Sequence, residues 1–105
     1  MGTYYIIYVH IISKKKLVDY YNKHIETKNQ LEAWYHEVRE AEWNNPQDVK
    51  EKYGSASIIG GKRVVFNIKG NKYRLVVKIN YKIKIIYIRF IGTHKEYNKI
   101  NAEEI

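Results

Sequence analysis

A histidine and several arginines near the C-terminal end of the chain have the types and spacing needed for phosphate chemistry. His94 follows Arg89 by five residues and precedes Tyr97 by three, at the predicted start of a helix. Histidine exchanges a proton near neutral pH, and a guanidinium binds a phosphate through two parallel hydrogen bonds. Such residues could bind a phosphodiester and transfer a proton during its cleavage. The alternative for His94 is a surface histidine at a helix start.

Carboxylates that could hold a catalytic metal are scarce in the same half of the chain. Residues 57–100 contain eleven Lys and Arg but a single acid, Glu96, which the pattern Thr93-x-x-Glu96 assigns to a capping box. The chain has no cysteine, and no two histidines have the spacing of a metal site. We therefore expect no metal and no cofactor. Any cleavage of a nucleic acid should then use the 2′-OH of RNA as its nucleophile.

The positive charge of the chain lies in its second half. The 105 residues carry a formal net charge of +8, whereas residues 1–56 hold equal numbers of basic and acidic side chains. This excess indicates a polyanionic partner, which could be nucleic acid, an acidic protein or a membrane surface. The length fits one domain over residues 1–105. The longest apolar run, Tyr4–Ile12, is too short to span a membrane and lacks the features of a signal peptide.

Hydrophobic periodicity changes from helical to strand-like half-way along the chain. In the first half, the pattern predicts a strand over Tyr4–Ile12, followed by a helix over Lys14–Ile25 that Ser13 caps. A second helix begins at the capping box Thr27-x-x-Gln30, and its buried stripe consists of Leu31, Trp34, Tyr35, Val38 and Ala41. A short helix follows between Asn45 and Gly54. The second half predicts strands Ser57–Ile59, Arg63–Ile68, Lys72–Tyr81 and Lys84–Ile91, then a helix over His94–Ile100. We expect an α+β domain with helices packed on one face of a small, mainly antiparallel twisted sheet.

Strand alternation sorts the side chains of the second half onto two faces. One face is apolar and should contact the helices: Val64, Phe66, Ile68, Tyr73, Leu75, Val77, Ile79, Ile86, Ile88 and Phe90. The other face gathers Arg63, Asn67, Arg74, Lys78, Tyr87 and Arg89. A solvated sheet face is the alternative, since antiparallel sheets often have one wet side. Guanidinium groups without acids to pair them favour a phosphate-binding face, on which a tyrosine could stack an unpaired base.

Two stretches of the second half are similar to a known family. The segments RVVFNIKGNKYRLVVKINY (63–81) and IYIRFIGTHKEY (86–97) resemble the HigB family of type II toxins, which belongs to the RelE-like mRNA interferases. Shorter matches lie at Ile12–Lys15, Ala33–Tyr35, Ala41–Trp43 and Ser55–Ser57, so that the resemblance runs from about His10 to Glu104. Residues 1–8 extend beyond the usual start of the family.

The resemblance implies a RelE-like fold and an RNase toxin that cleaves mRNA, typically on the translating ribosome. It also implies a cytoplasmic location, no membrane, and neutralisation by a HigA-type helix-turn-helix antitoxin, with operator DNA contacted only through that complex. Carried onto this chain, it makes His94 the general acid or base, Arg74 and Arg89 ligands of the scissile phosphate, and Tyr97 a positioning or stacking group. The expected RNA-binding residues are Arg63, Asn71, Lys78, Tyr87 and Lys95. The histidines His10, His24 and His36 are expected to be structural.

Two other functions are compatible with the same residues. A non-catalytic nucleic-acid-binding module would use the same basic face, bind with an affinity that falls with salt, and leave no 2′,3′-cyclic phosphate ends. A degenerate toxin could instead act as an antitoxin or protein partner. A helix-turn-helix protein encoded in the neighbouring reading frame would favour the toxin.

Overall fold

The computed structural model describes residues 8–105, which form a five-stranded sheet with helices. The strands are β1 (His10–Ile12), β2 (Ser57–Ile59), β3 (Arg63–Ile68), β4 (Tyr73–Asn80) and β5 (Ile85–Thr93). The helices are α1 (Lys14–Lys23), α2 (Lys28–Arg39), α3 (Pro46–Lys52) and α4 (His94–Tyr97), with a 3₁₀ turn at Ile25–Thr27. Of the predicted strand Tyr4–Ile12, only His10–Ile12 forms a strand among the described residues. Residues 4–7 of that prediction, and most of the extension 1–8, lie outside the described range.

The sheet has the strand order β1-β5-β4-β3-β2. Strands β2 to β5 pair antiparallel through short connections, which confirms the predicted hairpins. Strand β1 instead pairs parallel with β5, with His10 opposite Ile85. The sheet is therefore mainly antiparallel, and the α+β fold class is confirmed.

Helices α1 to α3 pack on one face of the sheet and bury a continuous apolar core. They contribute Leu17 and Tyr21 from α1, Leu31, Trp34 and Val38 from α2, and Val49 from α3. The sheet contributes Val64, Phe66, Ile68, Tyr73, Leu75, Val77, Ile79, Ile86 and Ile88. Period-two sorting is thus correct for β3 and β4 and for the first part of β5. The predicted helix over Lys14–Ile25 is two residues too long, because α1 ends at Lys23 and Ile25 lies beyond it with its side chain 65% exposed.

A β-bulge in β5 overturns the predicted orientation of its last residues. Val76 pairs with Phe90 while the next residue, Val77, pairs with Ile88, so Arg89 is an extra residue in the ladder. Beyond the bulge the faces exchange. Ile91 packs against the helix-side core, and Phe90 packs on the opposite face. The prediction that Phe90 contacts the helices is therefore wrong.

The face of the sheet away from α1 to α3 is covered at its centre by the C-terminal segment, residues 97–105. Its apolar side chains pack on the central row of that face, formed by Val65, Val76 and Phe90. The contributing residues are Tyr97, Ile100, Ala102 and Ile105. The face predicted to gather the basic residues is consequently divided into two parts by an apolar centre.

A glycine turn receives the end of this segment. Gly61 has a φ of 70°, and a Cβ at this position would collide with the backbone oxygen of Glu103. The Glu103 carboxylate accepts a hydrogen bond from the backbone N–H of Gly60 at 3.3 Å. Arg63 donates through Nε to the backbone oxygen of Ile105 at 2.9 Å, and through Nη1 to Gly61 O at 2.7 Å. An acidic residue and a predicted RNA ligand are therefore both occupied in holding the segment.

Two of the predicted helix caps form as expected and two do not. The Asn45 side chain accepts from the backbone N–H of Asp48 at 3.0 Å, with Pro46 in the first turn. Ser13 occupies the N-cap position of α1 but makes no side-chain capping bond.

The capping box predicted for α2 is absent because its two members bond elsewhere. The Thr27 hydroxyl donates to the carbonyl of His24 at 2.7 Å. The Gln30 side chain accepts from the backbone N–H of Lys69 at 2.6 Å and thereby ties α2 to the β3–β4 turn. A distant partner has replaced the local one.

Candidate active site

The position of His94 is determined by the cap of α4. The Thr93 hydroxyl accepts from the Glu96 N–H at 3.1 Å, and the Glu96 carboxylate accepts from the Thr93 N–H at 2.8 Å. This confirms the predicted capping box, and the hydrogen bonds from Thr93 lower the pKa of Glu96. The backbone N–H of His94 donates to Lys72 O at 3.0 Å. The imidazole therefore emerges exposed from a turn fixed at both ends.

Arg74 lies beneath this turn and is only 9% exposed. It is paired with Gly92 in β5. Its Nη1 donates to Asn71 O at 2.9 Å and to Tyr73 O at 3.2 Å. Its Nη2 lies 3.3 Å from His94 Nδ1. The prediction that Arg74 and His94 share a site is therefore matched by a direct contact.

This contact determines which nitrogen of the imidazole can react. A guanidinium only donates hydrogen bonds, so Nδ1 of His94 accepts and Nε2 carries the hydrogen of the neutral ring. Within the described chain, three of the five N–H donors of Arg74 are used by Asn71, Tyr73 and His94. Two donors remain for an anion beside an exposed imidazole N–H. The pair can therefore present guanidinium N–H groups and one imidazole N–H to the oxygens of the same phosphate.

Gly92 makes room for the side chains that support the site. A Cβ on this residue would lie 2.6 Å from Cζ of Phe90 and 3.1 Å from Oε1 of Glu96. The first distance is below any ordinary contact, so a larger residue would displace the Phe90 ring or the capping carboxylate. The absence of a side chain at Gly92 thus allows the cap of α4 to close over β5.

A cluster of aromatic and acidic groups lies behind the turn, next to Thr93. Tyr73 pairs with Thr93 in the sheet and donates its hydroxyl to the Glu26 carboxylate. This hydrogen bond lowers the pKa of Glu26 and raises that of Tyr73. Tyr20 stacks on His24 with ring centroids 4.3 Å apart and meets Tyr73 edge-on at 6.1 Å. Burial, and then the charge of Glu96, raise the pKa of Tyr20 to about 12.

A second basic depression lies at the other end of the same face. Arg63, Lys78 and Tyr87 form one row across β3, β4 and β5. They line the depression together with Lys62, Ile79, Asn80 and Arg89. Arg89 is three residues from Gly92, the strand partner of Arg74, a separation of roughly 10 Å along an extended strand. The prediction of one continuous cluster is therefore wrong, because the covered centre and the bulge separate Arg89 from Arg74.

The remaining predicted residues are distributed around α4 and the sheet. Lys95 is exposed on α4 beside His94, and Asn71 is exposed while its carbonyl binds Arg74. Tyr97 is half-buried, with its ring centroid 6.5 Å from that of Phe90. Asn67 donates from its side-chain amide to Ser55 O at 3.3 Å.

Comparison with known proteins gives a consistent family. The profile described as HigB_toxin, RelE-like toxic component of a toxin-antitoxin system, matches residues 27–100. The chain is 30% identical over 96 residues to the mRNA interferase toxin HigB of Escherichia coli K12, covering 90% of this chain and 92% of that protein. The chain belongs to the HigB toxin family. The mRNA interferase HigB of Shigella flexneri matches equally well, and that of Escherichia coli O6:H1 is 24% identical over 94 residues.

The predicted resemblance to HigB toxins is confirmed, and the names of the relatives agree with the predicted class of enzyme. Over residues 8–105, no three His, Asp or Glu side chains come together as metal ligands would. In the same range no helix has the length and apolar character needed to cross a membrane.

Sequence reasoning missed several residues that the HigB fold brings to the site. Tyr20 lies on α1 and His24 directly follows it. Both fell within the predicted helix over Lys14–Ile25, but nothing in the sequence linked them to His94. Lys16 and Lys23, also on α1, approach β5 near Arg89. Their signal was hidden because the first half of the chain is electrically neutral as a whole.

Proposed function

We propose that this chain is an mRNA-cleaving endoribonuclease, the toxin of a type II toxin–antitoxin system. The single observation that carries the proposal is the contact between the nearly buried Arg74 guanidinium and the exposed His94 imidazole. It places a phosphate-binding cation and an exposed imidazole N–H donor side by side in a chain whose relatives are named mRNA interferases.

The proposed reaction needs no metal. The 2′-oxygen of the RNA attacks the adjacent phosphorus, its proton passes to water, the P–O5′ bond breaks, and the 5′-oxygen takes up a proton from water. The free donors of Arg74 stabilise the charge that develops on the phosphate oxygens. His94 presents its Nε2–H to the phosphate and to the departing 5′-oxygen. The scarcity of acids in residues 57–100 supports this route over one that requires carboxylate-bound magnesium.

Other residues are assigned to binding rather than to chemistry. Lys95 and Asn71 lie beside the reacting pair and would contact the flanking nucleotides. Arg89, Lys78 and Tyr87 line a depression about 10 Å away and would bind RNA there. We assign Arg89 to this role, although the sequence favoured the scissile phosphate. Arg63 would contribute only where its bonds to the C-terminal segment are released.

The partners follow from the family and from the charge of the site. We propose that the substrate is mRNA on the translating ribosome, and that the protein acts in the cytoplasm where this substrate occurs. A HigA-type helix-turn-helix antitoxin would neutralise it by covering the basic residues around His94. Operator DNA would be contacted only through that complex.

The test is induction of the chain in growing cells, followed by mapping of the mRNA ends. We expect growth arrest, rescue by the product of the adjacent gene, and fragments ending in 2′,3′-cyclic phosphate and 5′-OH. His94→Ala and Arg74→Ala should abolish arrest. His36→Ala, which changes an exposed histidine on α2, should retain it. Arrest by the His94→Ala variant, or fragments with 3′-OH ends, would contradict the mechanism.

A further inference from the structure

A cleft lies between α1 and the part of β5 that extends beyond its ladder with β1. Strand β1 pairs with β5 only from Ile85 to Tyr87. From Ile88 onward the neighbour on that side is α1, and a cavity of about 440 Å³ separates the two elements. It is lined by Lys16, Asp19, Tyr20, Lys23, Ile88, Arg89, Phe90 and Ile91. The four residues from α1 have the spacing of one helix face.

The charged groups of the cleft are mostly cations. Lys16 and Lys23 are exposed on α1, and Arg89 faces them from the bulge in β5. Lys16 is held across the cleft by a hydrogen bond from its Nζ to Ile88 O at 3.1 Å. The one acid in the lining, Asp19, is neutralised by Lys15 at 2.6 Å. The cleft therefore attracts anions.

The walls of the cleft are apolar and aromatic. Tyr20 lines it from α1, and Ile88, Phe90 and Ile91 line it from β5. The ring of Phe90 itself packs on the opposite face, against the C-terminal segment. Aromatic surfaces bordered by lysine and arginine are typical of sites for single-stranded nucleic acid, because each base can stack while its phosphate is neutralised. A site for a free phosphate would not need an aromatic ring such as that of Tyr20.

The position of the cleft suits a strand that leaves the candidate active site. The direct path across the sheet from His94 to Arg89 is blocked where the C-terminal segment packs on Phe90. The cleft bypasses this obstruction along the edge of β5. Tyr20 borders it and also contacts Tyr73, the strand partner of Thr93. Ile91 is three residues from His94, roughly 10 Å in an extended chain, which is a span of about three stacked nucleotides.

We propose that the α1–β5 cleft is a second RNA subsite, in which Lys16 and Lys23 bind the backbone of single-stranded mRNA a few nucleotides from the cleaved bond. This proposal rests on the proposed function and extends it to residues of the neutral half of the chain.

The test compares RNA binding by the full chain and by two double variants. Lys16→Gln/Lys23→Gln removes the cations of the cleft. Lys14→Gln/Lys28→Gln is the matched control, because these lysines lie over the rings of Tyr35 and Tyr21 and do not line the cleft. The probes are 2′-O-methyl RNAs, which cannot be cleaved, of about 3 and about 12 nucleotides. Affinity is measured over a series of salt concentrations, with thermal unfolding as a check on folding.

We expect the cleft variant to bind the longer RNA about 10-fold more weakly at low salt, with a salt slope smaller by about 1.4. Its affinity for the short RNA should not change, and the control should match the unmodified chain with both probes. Equal affinities of the two double variants for the longer RNA would overturn the proposal. It would also be overturned if the two lysines were needed for binding polyglutamate but not for binding RNA.

A separate measurement distinguishes failure of the cleft from failure of the proposed function. If the unmodified chain cleaves mRNA on induction but the cleft variant binds RNA as the control does, only the cleft proposal is wrong. If the unmodified chain neither cleaves nor binds RNA, both proposals are wrong.

Discussion

Replacing Arg74 by lysine keeps the positive charge and removes the planar fork that organises the site. The guanidinium donates to Asn71 O at 2.9 Å, to Tyr73 O at 3.2 Å and to His94 Nδ1 at 3.3 Å. A shorter side chain ending in a compact ammonium group cannot reach all three acceptors while also facing a phosphate. Arg74→Lys should therefore retain one contact at most and leave His94 unsupported.

The loss can be estimated from these contacts. A hydrogen bond from a charged donor contributes about 1.5–3 kcal/mol to stability. Water that reaches this edge of the sheet would replace part of each lost bond. Losing two of the bonds should therefore reduce the free energy of unfolding by about 3 kcal/mol. In a domain of this size that lowers Tm by roughly 10–20 °C. Loss of the oriented donors should reduce the rate of cleavage by about 10²–10³-fold.

The assay is single-turnover cleavage of a translated mRNA at a temperature at which the variant is fully folded, with Tm measured in parallel. Arg39→Lys is the control, since Arg39 lies on α2 with its guanidinium 4.3 Å from the Tyr8 ring centroid. We expect the control to cleave at the unmodified rate. A rate for Arg74→Lys equal to that of the control would refute the role given to the guanidinium.

Three further perturbations test the support of the site and the core. Thr93→Ala should remove the capping box and reduce the free energy of unfolding by about 1 kcal/mol. The rate of cleavage should fall further than this loss of stability accounts for, because His94 loses its fixed turn. A fall in the rate no larger than the fall in Tm accounts for would contradict this role of the cap. Tyr73→Phe should make Tm less sensitive to acid as the pH falls through and below the ordinary pKa of a glutamate. The pKa of Glu26 is lowered from its ordinary 4.5 by the Tyr73 hydroxyl, so this pair stabilises the fold above that pKa and ceases to do so as pH falls through the lowered value; identical Tm profiles would show that the bond is not stabilising. Leu31→Ala, at a side chain with 0% exposure, should leave a cavity and cost about 3 kcal/mol in urea unfolding, with an unchanged m-value.

The sequence determined the elements whose pattern is local. Alternation along β3 and β4 identified their core-facing residues, because a strand with one apolar face has only one way to bury it. The cap of α4 was equally local, since Thr93 and Glu96 are three residues apart and bond to each other. The assignment of Arg74 and His94 to one site came from the resemblance to HigB toxins.

Tertiary structure decided the features that depend on distant partners. In β5 apolar residues occur on both faces, so the sequence contains no sign of the bulge at Arg89 that exchanges Phe90 with Ile91. Gln30 had a local capping partner and a distant one, and the backbone of Lys69 prevailed.

The division of the basic face shows most clearly how distant packing decides what the sequence pattern leaves open. Charge counting placed the cations in one half of the chain, but the apolar C-terminal segment covers the centre of their face and occupies Arg63. Packing of α1 against β5 then adds Lys16 and Lys23 from the neutral half. Composition and periodicity determine which side chains carry charge and which face of a strand they share. Only the packing of elements far apart in the chain decides which charges remain accessible and which lie together.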